Sequence, residues 1–326
     1  MSAQLKMLAI GTATQDVFLI GGSVFKPVMR AGKLYEDLPL GAKLSVQDIA
    51  FSTGGNASNA ATTFARQGLH SMFMGVLGED PAGDAVQRVL DLEGIDCRYV
   101  RQQADRHTSY STILLAPNGE RTILNYHGEN LRADGSDLNL KTIAEADWLY
   151  LSSLGSMSLL EKVVSLAAKN GVKVALNPAR TELDDAPRLR SLLDDITVLI
   201  ANKEEMQLIV EGKKLEDLVR HACNLVPVAI VSDGPNGAMV SDGNEMVWAG
   251  MYEDVKVVDR LGAGDAFGSG FVAMYAQGKS LEDSLVFASA NSTSVVTKVG
   301  AKEGILHKNA RLHDMPLKIT KATHAA

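Results

Sequence analysis

The segment Val257-Val258-Asp259-Arg260-Leu261-Gly262-Ala263-Gly264-Asp265-Ala266-Phe267-Gly268-Ser269-Gly270 decides how the chain is read. A glycine-rich turn runs straight into a helix-forming stretch, Asp265 to Gln277. Gly262 and Gly264 let the backbone turn tightly and leave amide N–H groups uncovered. Bare amides at a helix N-terminus form an anion site, because the unsatisfied donors and the helix dipole both favour negative charge. Such a site stabilises the charge that builds on a transferring phosphoryl group. Asp265 falls in the first helical turn, where a carboxylate can accept the proton of an attacking hydroxyl. The plain alternative is a capped helix start, since Asp is common in first turns and Gly in loops.

Outward from that turn, strands alternate with helices. Leu8 to Ile10, Met72 to Met74, Trp148 to Leu151, Val172 to Leu176, Val198 to Ile200 and Val228 to Val231 are short apolar runs. Amphipathic stretches lie between several of them, at Ala57 to Gln67, Ala82 to Leu92, Leu159 to Lys169 and Leu215 to Leu225. Apolar runs bounded by turns and separated by helices predict an α/β fold: a central, mostly parallel sheet with helices on both faces. Two regions break the rhythm. Residues 17–52 hold short strand-like pieces, prolines and glycines; residues 107–126 read as a hairpin around Pro117-Asn118-Gly119. Both are expected to build a small β-sheet lid over the end of the sheet where ligands bind, excluding water from the reaction.

A second glycine turn, Ser52-Thr53-Gly54-Gly55-Asn56-Ala57-Ser58-Asn59-Ala60-Ala61, also leads into a helix. Its Asn side chains can both donate to and accept from polyol hydroxyls. A tight turn with an N-cap would look the same.

The chain has 326 residues, of which 46% are hydrophobic and 22% charged, enough for a large core and unlike a disordered chain. A net charge of −7 argues against general nucleic-acid binding. Two cysteines make neither a disulfide framework nor a zinc site, and the seven histidines lack metal-ligand spacing. No apolar run approaches the ~18 residues that span a bilayer, and the N-terminus reads as a first strand rather than a signal peptide. A cytoplasmic protein is expected. Gly278-Lys279-Ser280 fails as a Walker loop because it follows a helix and lacks the first glycine, and Phe267 breaks the dinucleotide fingerprint.

Taken in this order, the two glycine turns resemble the ribokinase-like (pfkB) carbohydrate kinase family. The resemblance covers residues 5–310. Gly54 to Ala61, Ala65-Arg66-Gln67-Gly68 and Gly75 to Gly83 match its first signature, and Asp259 through Asp265 its second. It implies a single kinase domain over 1–312 with the lid inserted at about 17–52 and 107–126, and a flexible tail at 313–326. It implies ATP-dependent transfer to a hydroxymethyl group of a neutral, ribose- or fructose-like sugar. Asp265 would be the base and the amides of Gly262, Ala263 and Gly264 the anion hole. Asp16, Gly54, Gly55 and Asn59 match substrate-binding positions. Asn202, Ser232, Gly234, Gly237 and Asn291 match nucleotide-binding ones. Glu205, in an Asn-x-x-Glu element, matches a residue tied to Mg²⁺ through water, and Asp259 a ligand of a monovalent cation such as K⁺.

Departures from the family pattern are Leu261 in place of a threonine, Gly304 in place of a small hydroxyl residue, and extra material at Phe25 to Leu44. The extra segment would reshape the pocket or mediate a homodimer through the lid. A nucleoside kinase of the same family is the alternative, favoured if Phe18, Phe25 or Tyr35 walled the pocket. A catalytically silent sugar- or nucleotide-binding protein is a third reading. Arg180, after Asn177-Pro178, could touch a phosphate or be solvated, and His127-Gly128-Glu129-Asn130 would close the lid.

Overall fold

The computed structural model describes residues 4–128, 131–250, 255–312 and 317–321. The first half of the chain runs β1 (Lys6–Gly11), β2 (Thr14–Ile20), β3 (Val28–Arg30), β4 (Lys33–Tyr35), β5 (Asp48–Gly54), α1 (Asn56–Arg66), β6 (His70–Gly78), α2 (Pro81–Leu92), β7 (Asp96–Gln103), β8 (Ser109–Leu115) and β9 (Arg121–Tyr126). The second half runs β10 (Trp148–Ser152), α3 (Met157–Lys169), β11 (Lys173–Asn177), α4 (Arg180–Leu183), α5 (Ala186–Arg190), β12 (Val198–Asn202), α6 (Lys203–Ile209), α7 (Leu215–Ala222), β13 (Val228–Ser232), β14 (Ala238–Ser241), β15 (Glu245–Ala249), α8 (Ala263–Ala276), α9 (Leu281–Val296) and β16 (Leu317–Lys321).

Ten strands form the main sheet in the order β16-β15-β14-β13-β12-β11-β10-β1-β6-β7. From β13 to β7 every pairing is parallel; β14, β15 and β16 add on antiparallel. The central strands are buried on both sides, so their alternation feeds two cores. Leu8, Ile10, Leu149 and Leu151 pack with Leu160 and Val163 of α3, Met206 of α6 and Leu218 of α7. Met7, Ala9 and Tyr150 pack with Ala57, Ala60 and Phe64 of α1, Phe271 of α8 and Leu285 of α9. Small residues on α1 let it lie close to the sheet, which brings its glycine turn near the start of α8.

The lid is a separate four-stranded sheet, β5-β2-β8-β9, with β2 and β8 parallel and the outer pairs antiparallel. The expected hairpin is β8–β9, closed where Gly119 takes a positive φ of 82°. Asp16 stands opposite Ser52 and Ser111, and Ser111 opposite Asn125, so one row of polar side chains crosses the lid. The extra segment is pinned by Phe25, which is buried against Leu114 and Ala116, and beyond it β3 and β4 form an exposed two-stranded sheet. Phe18 is fully buried in the lid and Tyr35 is exposed.

The tail departs from expectation. Residues 313–316 and 322–326 lie outside the described residues, as do Glu129 and Asn130 of the lid turn, but Leu317–Lys321 is a strand paired with β15. It is the edge strand of the main sheet, and its sequence holds Lys318 and Lys321, a residue type that discourages further pairing at sheet edges. Truncation after Leu312 should therefore uncover the β15 edge, lower the melting temperature and promote self-association. Calorimetry and light scattering read both; an unchanged melt would show that the strand adds nothing to the fold.

Candidate active site

Two cavities share one wall. The first, of about 270 Å³, is lined by Thr12, Asp16, Asn59, Ser109, Ser111 and Asn125 together with Gly54, Gly55, Gly262 and Asp265. The second, of about 240 Å³, is lined by Ser232, Gly234, Gly237, Arg260, Ala263, Gly264 and Phe267. The wall between them is the turn that begins α8. Gly262 takes a positive φ of 75° as the N-cap, and a Cβ there would lie 2.4 Å from the Ala301 Cβ, so only glycine fits. A Cβ on Gly264 would meet nothing within 4 Å, so that backbone is open to a ligand. Among the described residues, the Gly262 and Gly264 N–H groups find no acceptor. The turn thus presents unsatisfied donors at the N-terminus of a helix of 14 residues.

Asp265 lies on the first cavity's side of this wall. Its Oδ2 accepts a hydrogen bond from Asn59 Nδ2 at 2.8 Å, across 206 residues of sequence. Ser269 Oγ, one turn along α8, is 2.8 Å from Thr63 Oγ1 and 2.6 Å from the Asp265 carbonyl oxygen, so α1 and α8 are tied where the carboxylate is held. Burial pushes the Asp265 carboxyl up to about 6, against the pull of the Asn59 hydrogen bond and the Lys302 charge. A base poised near 6 is ionised at neutral pH yet strong enough to take a hydroxyl proton. The oxygen of the same amide, Asn59 Oδ1, is buried without a hydrogen-bond partner among the described residues.

Asp16 is 3% exposed and sits under Gly54, where a Cβ would come within 2.3 Å of its Oδ2. Glycine at 54 therefore makes room for the carboxylate. Burial raises the Asp16 carboxyl to about 6, while a Ser111 hydrogen bond and Lys302 lower it. The rest of the lining was not singled out from sequence: Thr12, Ser109, Ser111, Asn125 and Ser153 are hydroxyls and amides on separate strands and loops, and only strand pairing brings them together. No lysine or arginine lines this cavity among the described residues, and no Phe, Tyr or Trp does. Phe18, Phe25 and Tyr35 do not form its wall.

On the second cavity's side, Ser232, Gly234 and Gly237 are brought together by the turn from β13 to β14, as the sequence led us to expect. Arg260, passed over in the sequence, supplies positive charge there. Four other residues differ from expectation. Asn291 is fully buried; its Nδ2 donates to the Ala266 carbonyl and its Oδ1 accepts from the Leu306 N–H, each at 2.8 Å. Both halves of the amide are spent, one joining α9 to α8 and the other holding the Leu306 backbone, and Ser289, Ser292 and Thr293 line the cavity instead. Asn202 and Glu205 form a reciprocal cap on α6, each side chain accepting from the other's N–H at 2.9 Å, and neither lines a cavity. Asp259 is 1% exposed, its Oδ1 accepting from Leu261 N–H and its Oδ2 from Gly300 N–H, with Arg121 Nε 3.8 Å away. Its charge braces the turn and is already answered by an arginine, which does not fit a dedicated K⁺ ligand. Arg180 pairs with Asp184 on the surface.

No group of three acidic, histidine or cysteine side chains is placed to hold a metal among the described residues. Glu205 Oε1 is unengaged, but the residue lines neither cavity.

A folded Asp265 that keeps its proton up to about pH 6, against the ordinary 3.8, is disfavoured in its ionised form. Ionisation therefore opposes folding increasingly as pH rises from about 4 to 6 and fully above that. Asp265→Asn should raise the melting temperature at pH 8 by on the order of 2–4 °C and leave it unchanged at pH 4. Calorimetry at both values checks this; a lower melt at pH 8 would contradict the burial penalty.

No helix among the described residues is long and apolar enough to cross a membrane. The family model of pfkB family carbohydrate kinases matches residues 16–308. A ribokinase of Haemophilus influenzae is 29% identical over 81% of this chain and 88% of its own length. A fructokinase of Escherichia coli is 31% identical over 67% of this chain and 75% of its own. The structure of Arabidopsis thaliana ribokinase, complexed with ribose and ATP, superposes with a TM-score of 0.72 at 23% identity, covering 94% of this chain and 96% of that one. With its lid sheet, its two cavities and its pair of glycine turns, the chain belongs to the pfkB family of carbohydrate kinases.

Proposed function

We propose that the chain transfers the γ-phosphate of ATP to a hydroxymethyl group of a neutral sugar of the ribose or fructose type. The observation that carries this reading is the shared wall: one turn offers a carboxylate to a hydroxyl-lined cavity and the Ala263–Gly264 backbone, with the Gly264 N–H unbonded, to its neighbour. A sugar in the first cavity would meet Asp16, Asn59 and the lid hydroxyls. Its acceptor hydroxyl would lie against Asp265, which takes the proton as the oxygen attacks phosphorus. The amides at 262–264 would hold the charge gathering on the transferring group, and the helix dipole adds to them. The nucleotide would occupy the second cavity, between the Ser232–Gly237 turn and α9. Mg²⁺ would enter on its phosphates and neutralise part of their charge.

The charge of the first cavity supports a neutral substrate. Among the described residues two carboxylates and no lysine or arginine line it, so an acidic or phosphorylated sugar would be repelled. The missing aromatic wall weighs against a nucleoside, whose base would need a stacking face. A homodimer through the lid is supported by its outer face, where Phe51 is 70% and Leu124 58% exposed. A cytoplasmic setting, where ATP is available, is consistent with this chemistry.

A coupled assay of ADP release over ribose, fructose, adenosine and inosine should show turnover on a sugar. Asp265→Asn should cut that turnover by about 10²–10⁴-fold while ATP affinity, read by calorimetry, stays near wild type. Full turnover in the variant, or turnover on nucleosides alone, would contradict the assignment.

A further inference from the structure

Lys302 is 3% exposed, and its ammonium is buried behind the Gly54–Gly55 turn rather than in either cavity. Its Nζ donates to Thr53 Oγ1 at 2.9 Å and to Ser58 Oγ at 2.7 Å. Both acceptors are neutral, buried hydroxyls. Among the described residues the ammonium forms no ion pair. A buried charge bonded only to neutral groups is costly, and a hydrophobic side chain of similar length would be the cheaper filler. The charge is answered at longer range, and its surroundings show by what.

Four charged groups act on Lys302: Asp16 from β2, Asp265 from α8, Glu93 from the end of α2 and Arg66 from α1. Arg66 and Glu93 are bonded to each other through two hydrogen bonds, so Arg66 offsets part of the Glu93 field at Lys302. The other two partners are the two carboxylates of the first cavity. Asp259, which also acts on Asp16, is faced by Arg121, and Tyr150, a buried phenol, feels the Asp265 charge. The ammonium is also mechanically linked to the site. Ser58 Oγ donates to the Gly54 carbonyl at 2.7 Å, and Gly54 packs on the Asp16 carboxylate.

We propose that Lys302 is a positioning residue for phosphoryl transfer: its ammonium, anchored on Thr53 and Ser58, is the fixed counter-charge of the Asp16–Asp265 pair and holds the Thr53–Gly55 turn against the substrate. It touches neither substrate nor phosphate and acts through the two carboxylates. The site thereby carries its own cation, covalently attached, where two acids must stay ionised out of water. Burial lowers the Lys302 ammonium to about 7, and the two acids oppose that fall. The inference rests on Asp265 being the base.

Lys302→Met keeps the chain length and removes the charge. Without the ammonium, Asp265 holds its proton to higher pH, so the acid limb of kcat/KM should move up by about one pH unit. The wild-type-to-variant ratio should then be about fivefold larger at pH 6 than at pH 8. A loss of equal size at every pH would mean a merely structural lysine and would overturn the proposal. Should the variant fail to fold, the reciprocal effect is measurable without it. In protein labelled with ¹³Cε-lysine, Asp265→Asn should lower the Lys302 titration midpoint, because coupling between two protons is mutual. An unchanged midpoint would overturn the proposal. Since that titration needs no turnover, it stands apart from whether Asp265 is the base.

Discussion

Two carboxylates taken out of water at one end of a parallel sheet are the constraint around which this structure is arranged. Asp16 and Asp265 are each raised to about 6 by burial. Neither has a lysine or arginine bonded to it. What keeps them serviceable is a set of weaker supports: the Asn59 amide on Asp265, the Ser111 hydroxyl on Asp16, and a buried ammonium behind both. A direct ion pair would pin a carboxylate in its ionised state and weaken it as a base. Hydrogen bonds from neutral groups and a charge at a distance leave it near 6, which is where proton transfer from a hydroxyl is best served.

The same constraint explains the glycines. Gly54 leaves space for the Asp16 carboxylate and Gly262 for Ala301, so both turns can close on the one cavity. The α8 turn then serves two purposes. Its Asp265 side chain lines the hydroxyl-lined cavity and the Ala263–Gly264 backbone lines the other. Asp259, buried beneath and bonded to the Leu261 and Gly300 N–H groups, fixes the turn from below. Arg121 reaches Asp259 from the lid strand β9, so the lid and the turn are joined through one carboxylate.

Much of this was legible from sequence because it is written in local patterns. The apolar runs, the helices between them, the β8–β9 hairpin and the two glycine turns all follow from short-range periodicity and turn chemistry. Ser232, Gly234 and Gly237 could be read as one group because a turn carries them together. What sequence could not show depends on pairing between distant segments. Ser111 and Asn125 reach the site because strand register places them in a row with Asp16. Lys302 sits in a loop of small residues and looks like any solvated lysine until its burial is known. Asn291, Asn202 and Glu205 were misplaced for a related reason: an amide or acid near a helix end reads the same whether it meets a ligand or its own backbone. The tail strand was missed because five alternating residues carry little signal without a partner edge.

The account turns on a single placement, the acceptor hydroxyl against Asp265 with the phosphate on the amides behind it. A crystal structure with bound ribose or fructose and a non-hydrolysable ATP analogue reads that placement directly. The account predicts a hydroxymethyl oxygen about 2.6–3.2 Å from an Asp265 carboxylate oxygen. It also predicts a γ-phosphate oxygen on the Ala263 or Gly264 N–H. A sugar whose hydroxymethyl group points away from Asp265, or a nucleotide seated in the first cavity, would contradict it.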